Sequence, residues 1–225
     1  MRAPGSSYLN RADAGQRLAY ALEPYRGQRP TVLALPRGGV PVASVVADRF
    51  GARLDFLVVR KVGAPGTPEH GLGAVAEGGT RFVDPKRVRE LGLEPEDLEP
   101  EFRAQLKEAE GLAGRLRHGR PGPNLTGRTV ILVDDGMATG STVRCALEAM
   151  RSQHPSHVVV AVGVSPREVV QEVQYLVDNV VCPLAPIQLF AVWEWYREFS
   201  EVSEEEVERL VDRNWANLSG RVIAC

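Results

Sequence analysis

Three observations predict an α/β fold, an open and mostly parallel sheet flanked by helices with a helical insertion. Short apolar runs alternate with helix-patterned segments, which is the βαβ rhythm. The run Val130–Val133 is apolar without alternation until it meets Asp134 and Asp135, the pattern of a strand buried on both faces. Residues 84–127 drop that rhythm for charge-rich, helix-like sequence and return to it at TVILVDD.

Taken in order, RADAGQRLAYALE (11–23) has helical spacing and reads as an amphipathic lead-in helix. Thr31–Leu35 is a short buried strand stopped by Pro36 and two glycines, and VPVASVVADRF is a helix ended by Gly51. LDFLVVRK reads as one further strand closed by Arg60 and Lys61. A Gly/Pro-rich stretch, residues 62–73, reads as a loop able to act as a water-excluding flap. A strand pair follows around GAVAEGGTRFV. Residues 84–127 form a helical insertion whose longest helix lies in EPEFRAQLKEAEGLAGRLRHG. Then come TVILVDD (strand), STVRCALEAMRSQ (helix), HVVVAVGVS (strand), PREVVQEVQYLVD (helix) and NVVC (strand). SEEEVERLVDRNW is a surface helix, with Ser203 and Glu206 spaced as a capping box. One domain over residues 1–225 is the simplest organisation.

The chain has 225 residues, 44% apolar and 25% charged, enough for a sizeable core. A net charge of −2 supplies no global field for nucleic acid or anionic membrane, so neither is an expected partner. Three scattered cysteines argue against a disulfide framework or a zinc site and suit a reducing compartment. The first residues lack the apolar core of a signal peptide, and no run approaches a membrane span; a cytoplasmic location is the expectation.

The chemistry concentrates in VILVDDGMATGST, residues 130–142. Ligands of open parallel sheets bind beyond the carboxyl ends of the strands, which is where Asp134 and Asp135 arrive. The small-residue loop after them can turn backbone N–H groups towards an anion. Thr139, Ser141 and Thr142 add hydroxyls, and the next helix adds its dipole. Carboxylates repel phosphate, so the two halves suit different parts of one ligand: acids for sugar hydroxyls, the cradle for a phosphate ester. A P-loop ATPase would need G-x-x-x-x-G-K-[ST], which is absent. A helix cap alone would need one hydroxyl residue, not two acids, three hydroxyls and two glycines.

This run resembles the PRPP (phosphoribosyl pyrophosphate) motif of type I phosphoribosyltransferases. ALPRGGVP is similar to the family's pyrophosphate loop, and VVRKVGAPG to its next strand end. The resemblance spans roughly residues 30–200 and implies a magnesium-dependent transferase of nucleotide metabolism. The 5-phosphoribosyl group would pass from PRPP to a small acceptor, a nitrogenous base, with release of pyrophosphate. It implies that Asp134 and Asp135 bind the ribose hydroxyls and are the catalytic residues, and that Ala138, Thr139, Gly140, Ser141 and Thr142 cradle the 5-phosphate. Arg37, Gly38, Gly39, Arg60 and Lys61 would hold the pyrophosphate, with Mg2+ reached through substrate and water and no direct protein ligand. Members acting on 6-oxopurines carry an acid three residues after the pair, where this chain has Ala138, so another acid would have to handle the acceptor proton. Glu77 is one candidate, a solvent-facing turn carboxylate being its plainer reading. The acceptor would be read by a small hood within residues 184–225. There PIQLFAVWEWYREF offers Phe190 as an acceptor contact, while Trp193, Trp195 and Tyr196 are read mainly as packing for the tail helix. Homodimers are frequent in the family. The alternative function is a regulatory protein that binds PRPP or a nucleotide without catalysis.

Overall fold

The computed structural model describes residues 7–223. The chain divides into two compact units. The first comprises Met1–Phe56, Gly122–Ala138 and Pro155–Cys225; the second comprises Leu57–Pro121 and Thr139–His154.

The first unit is built on five parallel strands: β1 (Thr31–Ala34), β2 (Arg53–Phe56), β6 (Thr129–Gly136), β7 (His157–Val164) and β8 (Asn179–Val181). Their order is β2-β1-β6-β7-β8, so the long β6 is central. Val32, Val130, Ile131, Val133, Val159 and Val160 are fully buried, which accounts for the uninterrupted apolar runs. The helices are α1 (Arg11–Ala21), α2 (Gly39–Phe50), α6 (Arg167–Gln174) and α7 (Glu204–Ile223). Asn10 caps α1 by accepting from the Asp13 N–H, and Gly51 ends α2 in the left-handed conformation. Gly15 lets α1 cross α2 closely, since a Cβ there would lie 2.7 Å from the Val42 carbonyl.

An edge strand leaves backbone groups unpaired, and α7 covers those of β2. The Leu54 N–H donates to Asn214 (2.9 Å), the Asn214 amide donates to the Ala52 carbonyl (3.1 Å), and the Trp215 indole donates to the Leu54 carbonyl (2.6 Å). Ser203 accepts from the Glu206 N–H, which is the expected start of that helix.

The second unit is a three-stranded antiparallel sheet of β3 (Val59–Ala64), β4 (Thr67–Ala76) and β5 (Arg81–Val83), in the order β3-β4-β5. It carries α3 (Pro85–Glu90), α4 (Glu99–Arg117) and α5 (Ser141–Arg151). Consecutive residues Ala74, Val75 and Ala76 are all fully buried, so both faces of the sheet are covered; α4 and α5 pack on it. Val62, Leu72, Val75, Val88, Leu98 and Phe102 form its apolar cluster.

Two sequence expectations are corrected here. LDFLVVRK is not one strand: β2 ends at Phe56 in the parallel sheet, and β3 begins at Val59 in the antiparallel one. Apolar content alone cannot distinguish one buried strand from two that share a boundary. Residues 62–73 are not a loop either. They are the body of the β3–β4 hairpin, turned at Pro65-Gly66, where Gly66 takes φ +76°. The glycines that suggested a flap fall at the register shifts between Val62 and Ala64 and at the turn. The strand pair around GAVAEGG and the helical content of 84–127 are as expected.

Candidate functional site

Strand order reverses between β1 and β6: the chain leaves β1 towards β2 on one side and β6 towards β7 on the other. Such a switch point opens a crevice at the carboxyl ends of the two strands. β6 delivers Asp134 and Asp135 there, and β1 delivers Leu35–Gly39 beside them, tied by the Leu35 N–H to the Val133 carbonyl (2.9 Å). The Pro36–Arg37 peptide bond is cis. The glycines of this loop abut the acids. A Cβ on Gly38 would lie 2.2 Å from Asp135 Oδ2, and one on Gly39 would lie 2.7 Å from the Val133 carbonyl and 3.1 Å from Asp134 Oδ1. Only a backbone without side chains fits at that approach.

The two carboxylates differ in environment. Asp134 Oδ1 accepts from the Asp135 N–H (2.9 Å). Asp135 is largely buried and accepts from Arg11 Nε through Oδ2 (2.9 Å), with both side chains little exposed, at 11% and 13%. Burial raises the Asp135 pKa above the ordinary carboxylate range, while Arg11 and the Gly136 backbone N–H pull it back down. Arg11 is itself fixed: its guanidinium sits 3.8 Å over the Phe199 ring, and it donates to the Ser200 carbonyl (2.7 Å). The Tyr196 hydroxyl donates to the Asp135 carbonyl, and its ring packs 5.1 Å from Tyr8 and 5.0 Å from Phe199. Burial pushes the Tyr196 phenol well above its ordinary range, so it is a neutral donor.

Arg11 and Tyr196 are therefore parts of this corner for which the sequence carried no specific signal. A single arginine on an amphipathic helix looks like any solvated cation, and Tyr196 was one of several aromatics in its run. Tyr196 packs into the core as that run suggested, with its ring against Tyr8 and Phe199. Phe190 stands 85% exposed.

The other expected ligands are distributed as follows. Arg37 pairs with the exposed Glu201, so its guanidinium has a protein partner. In the second unit, Gly140 caps α5 from the left-handed conformation with no side-chain cap bond, and the Thr139 and Ser141 hydroxyls bond one another (3.1 Å). The hydroxyls thus are not spent on capping, and the first-turn amides of α5 keep the arrangement that favours an anion. Ala138 and Thr139 are exposed and Thr142 half-buried. Arg60 and Lys61 are both exposed on β3. As adjacent strand residues they project to opposite faces, so they do not form one clamp.

Glu77 departs from both readings of it. It is neither a solvent-facing turn carboxylate nor an acid at liberty to move a proton: Arg117 forks onto its two oxygens, and the Val58 N–H donates to it (2.9 Å). Arg117 is 8% exposed and Glu77 16%, so the pair is an internal brace of the second unit.

Among the described residues no group of three or more His, Cys, Asp and Glu is placed to hold a metal, and no helix is long and apolar enough to cross a membrane. Mg2+ takes one or two carboxylates and fills its shell with phosphate oxygens and water. An acid pair with no third acid fits an ion carried mainly by a phosphorylated substrate.

The profile of the family described as "Phosphoribosyl transferase domain" matches residues 6–196. The chain is 42% identical over 204 residues to a Mycobacterium tuberculosis H37Rv protein named "Putative phosphoribosyl transferase Rv0571c", taking in 91% of this chain and 46% of that protein. The chain thus spans about half the length of the curated relatives it matches. The crystal structure of the protein TT1426 from Thermus thermophilus has a TM-score of 0.77 at 42% identity, covering 91% of this chain and 97% of that one.

Proposed function

The chain belongs to the phosphoribosyl transferase family, and from that premise we propose that it transfers the 5-phosphoribosyl group of PRPP to a nitrogenous base and releases pyrophosphate. The observation that carries this reading is the acid pair at the carboxyl end of the central strand, at the reversal of strand order, faced by a loop whose two glycines admit no side chain.

In this mechanism Asp134 and Asp135 accept the ribose hydroxyls and fix the ring. Asp135 keeps acceptor capacity, because a carboxylate has about four lone-pair sites and Arg11 takes one direction of approach. The Ala138–Thr142 segment holds the 5-phosphate with amides and hydroxyls. The pyrophosphate is received by the backbone of Arg37–Gly39, since the Arg37 side chain is drawn to Glu201. Arg60 and Lys61, both exposed on β3, are the candidate cations for the pyrophosphate. Mg2+, when bound through substrate and water, offsets the charge of the leaving group. As the C1–pyrophosphate bond breaks, positive charge spreads onto the ring oxygen, and the fixed carboxylates favour that charge. The base nitrogen then attacks C1 with inversion, its proton passing to the departing pyrophosphate or to water, and Phe190 is the candidate surface for the flat acceptor.

Two observations favour a second reading, a regulatory protein that binds PRPP or a nucleotide without turnover. Arg11 offsets the charge of Asp135, and Glu77, the candidate proton acceptor, is committed to Arg117.

Pyrophosphate release from PRPP and Mg2+ over a panel of bases separates the two. Turnover with one base, lowered about 100-fold or more by Asp134→Asn with the fold retained, is the expected result. Binding of PRPP with no release for any base would leave only the second reading, and an unaltered rate in Asp134→Asn would remove the ribose assignment.

A further inference from the structure

At the opposite end of the same sheet, a cavity of about 620 Å3 opens in the first unit. Its wall includes Arg29, Arg53, Arg128, Asn124, Phe50 and Pro123. The topology explains the gathering of arginines. Arg29 stands just before β1, Arg53 opens β2, and Arg128 precedes β6, and these three strands are neighbours in the order β2-β1-β6. Their amino ends therefore bring three guanidinium groups to one concavity.

Among the described residues no carboxylate lines it. Arg53 is pre-positioned, with its guanidinium bonded to the fully buried Asp55 (3.1 Å) and lying 5.1 Å from the Trp215 ring. Arg29 and Arg128 have no acidic partner among the described residues, although ion pairs elsewhere on this unit take up Arg26, Arg49 and Arg213. Asn124 Oδ1 accepts from the Thr126 N–H, which leaves the amide donors of Asn124 directed elsewhere. Planar guanidinium forks match phosphate oxygens in pairs, and Phe50 and Pro123 supply apolar wall for a ring.

We propose that this cavity is a second ligand site, distinct from the acid-pair corner, which takes a nucleotide carrying two or more phosphate groups. The arginines and Asn124 hold the phosphates, and the apolar wall takes the nucleoside. The volume lies in the range of small-molecule sites. It is not an extension of the other site. Strand β6 runs from Thr129 beside the cavity to Asp135 at the corner, and six residues of strand span about 20 Å. One phosphoribosyl ligand does not bridge that length.

The test titrates the full chain calorimetrically with ATP and, separately, with inorganic tripolyphosphate. The variants are Arg29→Glu/Arg128→Glu and, as a control for net charge, Arg167→Glu/Arg209→Glu, which reverses two exposed arginines away from the cavity. Loss of the charged forks at the cavity should weaken ATP about tenfold or more, with the control within about threefold of the parent. ATP should bind more tightly than tripolyphosphate because the apolar wall takes the nucleoside, and tripolyphosphate binding as tightly as ATP would overturn the assignment of a nucleotide. Equal weakening in both variants, or none in the first, would overturn the proposal; so would a single-stranded oligonucleotide binding more tightly than ATP. Should the first variant lose its helical circular dichroism, Arg29→Gln/Arg128→Gln replaces it and must show the same selective loss.

Discussion

Replacing Arg11 by methionine keeps an apolar stem against Phe199 but leaves Asp135 buried without its cation. The cost divides into two parts. Loss of the guanidinium stack and of the Ser200 bond does not depend on pH and amounts to about 1 kcal/mol. The carboxylate adds a part that does. Breaking a buried ion pair costs about 3–5 kcal/mol, but Asp135 can escape by taking up a proton. Escape at a given pH costs at most about 1.36 kcal/mol for each pH unit above the ordinary value of 3.8, so the ceiling is about 1.6 kcal/mol at pH 5 and about 5.7 at pH 8. A carboxylate whose folded pKa lies above its unfolded value binds protons more readily when folded. Its penalty is absent below the unfolded pKa, grows as pH rises and levels off above the folded pKa. Removing Arg11 raises that folded pKa further. The variant should therefore lose up to about 2.6 kcal/mol at pH 5 and about 4–6 at pH 8, or roughly 5 °C and 8–12 °C at about 2 °C per kcal/mol for a chain of this size. Thermal unfolding followed by circular dichroism at pH 5 and pH 8 reads the difference. Arg11→Met/Asp135→Asn should recover most of the loss and its pH dependence. An equal drop at both pH values, or a double variant no better than the single, would refute the account of Asp135 as a buried carboxylate paired with Arg11.

Two further outcomes follow from contacts elsewhere. Gly136→Ala would place a Cβ 2.5 Å from Val192 Cγ1 and should cost about 1–3 kcal/mol; adding Val192→Ala should return most of it, and a silent Gly136→Ala in denaturant titration would contradict the close approach. Glu77→Gln keeps an acceptor for the Val58 N–H but strips the charge facing Arg117. The second unit should lose about 3 kcal/mol, measured by hydrogen exchange of β3 and β4 amides, and unchanged protection there would show that the brace is not structural.

Most of the parallel scaffold was legible because its signals are local. Val32–Ala34 and Val130–Val133 are apolar throughout since both faces are covered, and Gly51 ends α2 because glycine takes the left-handed conformation cheaply. The split of LDFLVVRK and the β3–β4 hairpin were not legible. Glycines at a register shift and glycines in a loop look alike along the chain, and strand pairing is chosen by partners distant in sequence. The same holds for Glu77, which pairs with Arg117 across forty positions.

By itself, the order of residue types determined an apolar strand running into two carboxylates and a small-residue turn. Tertiary structure alone decided the company those acids keep. Arg11 arrives from α1 and Tyr196 from the segment after β8, 124 and 61 positions away from Asp135. Backbone preferences act over a few residues and leave their mark in the local sequence. A buried charge is settled by whatever the folded chain brings within about 3 Å, and that neighbour can come from anywhere.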